Sequence, residues 1–156
     1  MTPRRSRVLV VDDSGTVRAV LRRVLTRDGD IEIAGEAASG PQAVEAAGRL
    51  DPDVIIMDLD LPGMAGLAAS REILRRRRTP IVVVTSADGA HRARVAAAFQ
   101  AMAPAVVNVF GKPQLPDDWP PLGTILRETV RGLGQTGGRG GAPVVSAAGG
   151  AVVGRR

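Results

Sequence analysis

Residues 8–14 read Val8-Leu9-Val10-Val11-Asp12-Asp13-Ser14. An unbroken aliphatic run with no polar alternation suits a short strand buried on both faces of a sheet. The carboxylates that follow mark its C-terminal end, and the serine is a natural helix cap. The pattern returns in Val54-Ile55-Ile56-Met57, which leads to Asp58, in residues 81–84, which lead to Thr85-Ser86, and, interrupted by Asn108, in residues 106–110, which lead to Gly111-Lys112-Pro113. Residues 31–37 instead alternate polar and apolar, which predicts a sheet-edge strand with one wet face.

Helical periods fill the gaps between these runs. Residues 14–27 bring Val17, Val20, Leu21, Val24 and Leu25 to one side, with Ser14 as the N-cap. Shorter helices are predicted over 41–50 and 65–77. A further helix over 88–102 places Val95, Phe99 and Met102 together, and a last one over 121–132 starts a stripe from Leu122 that continues to Leu133. Residues 114–121, rich in proline and containing Trp119, read as a solvated connector. Five strand–helix units with continuous apolar strands predict an α/β fold, a doubly wound five-stranded parallel sheet with helices on both faces.

In such a sheet the strand C-termini share one edge, and ligands bind there. That edge would gather Asp12, Asp13, Asp58, Thr85 and Lys112. Clustered carboxylates repel one another and favour a bound cation. A lysine among them calls for an anion as well. A divalent metal with a phosphoryl group is the simplest ligand set that explains both signs of charge. Lys112 is also the only lysine in a chain that otherwise uses arginine throughout. A compact point charge on a flexible stem, rather than a planar fork, is what that position demands.

Composition narrows the remaining possibilities. The 156 residues suffice for one domain with a real core, and with aromatics at only 2% that core must be aliphatic. The absence of cysteine excludes disulfides and thiolate metal sites. No apolar run approaches the roughly 20 residues of a membrane span, and the short basic start lacks a signal-peptide core; a cytoplasmic protein is expected. The net charge of +5 includes an arginine run at 75–78, which reads as a solvated helix end suited to the helix dipole rather than a nucleic-acid patch. After Leu133 the composition shifts. Residues 134–156 hold eight glycines and no acidic residue, which predicts a mobile basic tail beside a domain spanning 1–133.

Taken in order, Asp12-Asp13-Ser14, Asp58-Leu59-Asp60-Leu61-Pro62-Gly63-Met64, Thr85-Ser86 and Gly111-Lys112-Pro113 resemble a response-regulator receiver domain of two-component signalling, over roughly residues 7–133. The resemblance implies a flavodoxin-like fold with strand order 2-1-3-4-5. It implies Asp58 as the phosphoacceptor, Asp13 as a direct Mg²⁺ ligand and Asp12 acting through a metal-bound water. Asp58 and the backbone carbonyl of Asp60 would complete the protein ligands. Lys112 would pair with the phosphoryl group and Thr85 would hydrogen-bond it. A sensor histidine kinase and an unidentified downstream protein are the implied partners, with homodimerisation on phosphorylation an option and no enzymatic output beyond self-phosphorylation and slow self-dephosphorylation.

The chain departs from the family pattern in places. The aromatic usually found three residues before the lysine is Val109 here, with Phe110 next to it: either Phe110 substitutes or the switch is muted. Ala65-Gly66 stands where Asp-Gly is common, and residues 103–105 replace a usual glycine. Asp60 and Ala87 fall where the family tunes the lifetime of the phosphoryl group, and His91 reads as an exposed helix residue.

The subfamily most similar is the receiver half of chemotaxis methylesterases, through residues 28–36 and the Gly63-Met64 turn. The tail's Val144-Val145-Ser146-Ala147-Ala148-Gly149-Gly150 only loosely resembles the serine turn of the esterase domain, so a stand-alone or truncated receiver is expected. Asp58-Leu59-Asp60 also resembles the nucleophile pair of haloacid-dehalogenase-like phosphatases, but that pair belongs on the first strand, where this chain has Asp12-Asp13. A basic adaptor for an anionic partner is the third alternative, resting on charge alone.

Overall fold

A computed structural model describes residues 4–86 and 106–135, with helical positions at 93, 97, 98 and 100. Those four positions fall within the helix expected over 88–102; the rest of that helix, Ala87, His91, residues 103–105 and the tail beyond 135 lie outside the described residues. Five strands, β1 (Ser6–Val11), β2 (Ile31–Ala37), β3 (Val54–Met57), β4 (Ile81–Thr85) and β5 (Val106–Gly111), form one parallel sheet in the order β2-β1-β3-β4-β5. The helices are α1 (Gly15–Thr26), α2 (Gly40–Leu50), α3 (Gly66–Arg76) and α4 (Trp119–Gln135), the last preceded by a 3₁₀ turn, Pro116–Asp118.

Each helix begins where its sequence allows. The Ser14 hydroxyl accepts from Val17 N–H and the Ser39 hydroxyl accepts from Gln42 N–H, each satisfying one of the orphan amides of a first turn. β1, β3 and β4 are apolar because they are covered twice. Leu9, Val11, Ile55, Met57, Ile81 and Val83 pack under α2 and α3, whereas Val8, Val10, Ile56, Val82 and Val84 pack under α1 and α4. The second layer is completed from α1 by Leu21 and Leu25 and from α4 by Leu122, Leu126, Val130 and Leu133.

Residues 114–121 are largely exposed, as expected of a solvated connector, but they are not irregular throughout. Their second half is already helical, because α4 starts at Trp119 with prolines in its first turn, where a missing N–H costs nothing. Trp119 packs against the layer under α1 and α4, while Leu115 is left exposed.

Two glycines set how closely the elements approach. A Cβ on Gly66 would lie 2.1 Å from the Asp58 carbonyl oxygen, and one on Gly40 would lie 2.1 Å from that of Met64. The start of α3 therefore rests on the end of β3, and the start of α2 rests on the loop between them. Gly66 N–H donates to the Leu59 carbonyl and Gly40 N–H to that of Pro62.

Candidate functional site

The carboxyl edge assembles as the strand pattern requires. The β1–β3 ladder continues past the last strand residues, with Asp58 N–H donating to Val11 O, and Asp12 N–H donates to Ala37 O of β2. Asp12 and Asp58 are thereby held side by side and are both almost fully buried, while Asp13 is exposed at the rim. One carboxylate oxygen from each of Asp12, Asp13 and Asp58 falls within 4.8 Å of the others.

Lys112 closes the site from β5. Its backbone N–H donates to the Thr85 carbonyl at 2.8 Å, which extends the β4–β5 ladder by one residue and turns its side chain inward. Its Nζ lies 2.7 Å from Asp12 Oδ2 and 3.2 Å from Asp58 Oδ2. Thr85 is fully buried at the end of β4. The remaining oxygens of the two buried carboxylates are held by backbone amides: Ser14 N–H donates to Asp12 Oδ1 and Leu59 N–H to Asp58 Oδ1.

Burial pushes the Asp58 carboxyl above its ordinary range, and the neighbouring charge of Asp12 adds to the effect, against the pull of Lys112. Burial would lower Lys112, but its hydrogen bond to Asp12 and the charge of Asp58 prevail and hold it above the usual lysine value. A buried aspartate that resists ionisation beside another aspartate is short of positive charge. The donor set is all oxygen, with carboxylates outnumbering the one ammonium, which fits a hard divalent cation such as Mg²⁺.

Other predicted residues are placed differently. Asp60 is exposed in the loop after β3, and its side chain is outside the carboxylate cluster. Val109 and Phe110 are both buried but face opposite layers: Val109 lies under α2 and α3, and Phe110 lies among Leu122 and Leu126 under α4. Phe110 therefore does not stand in for an aromatic at Val109, because successive strand residues point to opposite faces.

Arg18 was not foreseen from the sequence. Its Nη1 donates to the Asp12 backbone carbonyl at 2.6 Å and its Nε to Glu36 Oε1 at 2.9 Å. The available signal was its place one helical turn beyond Ser14, facing the end of β1.

Residues 8–117 match the response regulator receiver domain family, and the chain belongs to it. A protein-glutamate methylesterase/protein-glutamine glutaminase of Geobacter metallireducens is 44% identical over 110 residues, covering 70% of this chain and 31% of that protein. One of Alkalilimnicola ehrlichii is 51% identical over 86 residues, covering 54% of this chain and 22% of that protein. The chain thus spans less than a third of the length of these curated relatives. The crystal structure of the response regulator domain of Thermotoga maritima CheB superposes with a TM-score of 0.72 at 33% identity, covering 83% of this chain and 96% of that one. A LuxR-family two-component response regulator from Aurantimonas gives 0.70 at 26% identity, covering 95% and 94%. Family, fold and strand order therefore agree with the sequence reading. Among the described residues no helix is long and apolar enough to cross a membrane.

Proposed function

We propose that this chain is a phosphoacceptor module, in which Asp58 takes a phosphoryl group from a histidine kinase in a Mg²⁺-dependent reaction. The single observation that carries the reading is the meeting of Asp12, Asp13, Asp58 and Lys112 at one sheet edge. An Asp58 carboxylate oxygen attacks phosphorus, a P–O bond forms, and the bond to the donor nitrogen breaks with its electron pair returning to the imidazole. Asp13 and Asp58, with the Asp60 backbone carbonyl, would hold the cation directly, and Asp12 through water. The bound cation supplies charge neutralisation at the phosphoryl oxygens. Lys112 carries the remaining positive charge, and Thr85 hydrogen-bonds the phosphoryl group once it is in place.

The output side follows from Val109. With valine rather than an aromatic at 109, the phosphorylated state is relayed by Thr85 and backbone shifts rather than by a ring swinging at that position. A cytoplasmic setting, a partner receiving the signal and a domain ending near Leu133 belong to the same reading. A second reading, favoured by the methylesterase relatives, is that the chain is the regulatory part of such a protein.

Incubation with Mg²⁺ and ³²P-labelled acetyl phosphate should give an acid-stable, base-labile label on Asp58, lost in Asp58→Asn. Undiminished label in Asp58→Asn, mapped to another residue, would overturn the assignment.

A further inference from the structure

We propose that Arg18 is a positioning residue for the metal and phosphoryl site: it fixes the Asp12–Asp13 peptide by fastening the Asp12 carbonyl to Glu36. The inference rests on the functional reading above and extends it to residues outside the carboxylate cluster.

The peptide joining Asp12 to Asp13 is rigid, so the orientation of its carbonyl determines where the Asp13 Cα, and with it the exposed carboxylate, is aimed. Asp12 itself is fully occupied. Ser14 N–H holds Oδ1, Lys112 holds Oδ2, and the backbone oxygen is held by Arg18 at 2.6 Å. Among the described residues Asp13 has no such anchors of its own at the rim, so the carbonyl behind it is the point through which its position is controlled.

Glu36 is built to receive Arg18. β2 carries a bulge: Val8 pairs with Ile33 and Leu9 with Gly35, so Ala34 is an extra residue. Before the bulge, Ile31 and Ile33 face the layer under α1; after it, Ala37 faces the layer under α2. The extra residue places Glu36 opposite Val10, on the α1 side, where an unbulged strand would have turned it to the other face. There, Glu36 Oε1 accepts from Arg18 Nε, while Oε2 accepts from Arg22 Nε and Nη2. Hydrogen bonds from Arg22, then from Arg18, lower its carboxyl below the usual range, which favours the charged form that both guanidiniums need.

The sign of one measurement separates positioning from charge. Removing a cation near a metal site strengthens Mg²⁺ binding if only Coulomb forces act. Removing a positioning group weakens it, by about tenfold for groups that orient ligands. The experiment is Mg²⁺ titration by calorimetry of wild type, Arg18→Gln, Arg22→Gln, Glu36→Gln and the Arg18→Gln/Glu36→Gln double variant. Circular-dichroism melts establish that each variant is folded. Arg18→Gln should bind Mg²⁺ about tenfold more weakly, while Arg22→Gln, which removes the same charge without touching Asp12, should bind as wild type or tighter. If Glu36 acts through Arg18, the double variant should be no weaker than Arg18→Gln alone. In acetyl phosphate labelling at saturating Mg²⁺, Arg18→Gln should still label Asp58.

Unchanged or tighter Mg²⁺ binding in Arg18→Gln overturns the inference, as does additive weakening in the double variant. Should Arg18→Gln not fold, the charge-keeping Arg18→Lys decides the matter: one ammonium cannot reproduce the guanidinium fork that holds both the Asp12 carbonyl and Glu36, so Mg²⁺ binding should weaken, and wild-type affinity in it overturns the inference. Wild-type protein that binds no Mg²⁺ and takes no label on Asp58 overturns the functional reading itself, a distinct result.

Discussion

Asp58 sits in surroundings that oppose its own charge. Its carboxyl is raised above the unfolded value of 3.8, so the native state holds that proton more tightly than the unfolded chain does. The stability this contributes is complete below the unfolded value and is lost as pH rises through the folded one. At neutral pH, without a divalent cation, Asp58 is therefore a net cost to the fold. Asp58→Asn should melt higher than wild type at pH 7 in chelator, with the gap closing towards pH 4; equal melting temperatures at both pH values would contradict this. Lys112 contributes in the opposite sense. Its raised value makes its stabilisation complete below the ordinary 10.5 and lost only in strongly alkaline solution. Much of this was legible beforehand: carboxylates at the ends of apolar strands and a solitary lysine fall at one edge whatever the details of packing. Arg18 was not, because an arginine on an amphipathic helix reads as solvated until the neighbouring strand is known to carry its partner.

The elements show where patterning suffices and where it fails. Strands β1, β3 and β4 were readable because double coverage demands continuous aliphatic sequence. The phase of the outer strands was not. β5 carries an irregularity like that of β2, with Ile81 paired to Val106 but Val82 to Asn108. One extra residue exchanges the two faces, and no hydrophobic pattern records it. α4 starts at Trp119, two residues before the expected 121, since prolines are at home in a first turn. The stripe along α4 carries much of one core layer. Leu126→Ala, at a position with no solvent exposure, should cost about 3 kcal/mol in urea unfolding. Gly66→Ala tests the contact between α3 and β3. Its methyl group would meet the backbone of Asp58 and Leu59 rather than a yielding side chain, so a loss of about 1–3 kcal/mol is expected, together with slower labelling of Asp58.

Over the whole molecule, the last helix is tied back to the turn between α1 and β2. Arg131 donates to both Asp28 and Asp30, and the buried Arg127 donates to the Val24 carbonyl while its Nε stands 3.2 Å from Asp28. Hydrogen bonds to Arg131 lower both aspartates. Their contribution is present above the unfolded carboxylate value and fades on acidification below it. These aspartates are exposed, so salt should screen them. Arg131→Gln should thus lower the melting temperature only slightly at pH 7, and the difference from wild type should vanish in 1 M NaCl. Arg127→Met should cost more, about 1–3 kcal/mol, because it strands a part-buried helix carbonyl and removes a buried side chain's hydrogen bond. On the opposite side of the sheet, the glycines at 40 and 66 leave residues 59–65 no slack. Backbone touches backbone at both ends of that loop, so a shift of Asp58 by a few tenths of an ångström is not absorbed as local compression. It would pass as through a strut to the starts of α2 and α3 together, and the two helices would respond as one lever.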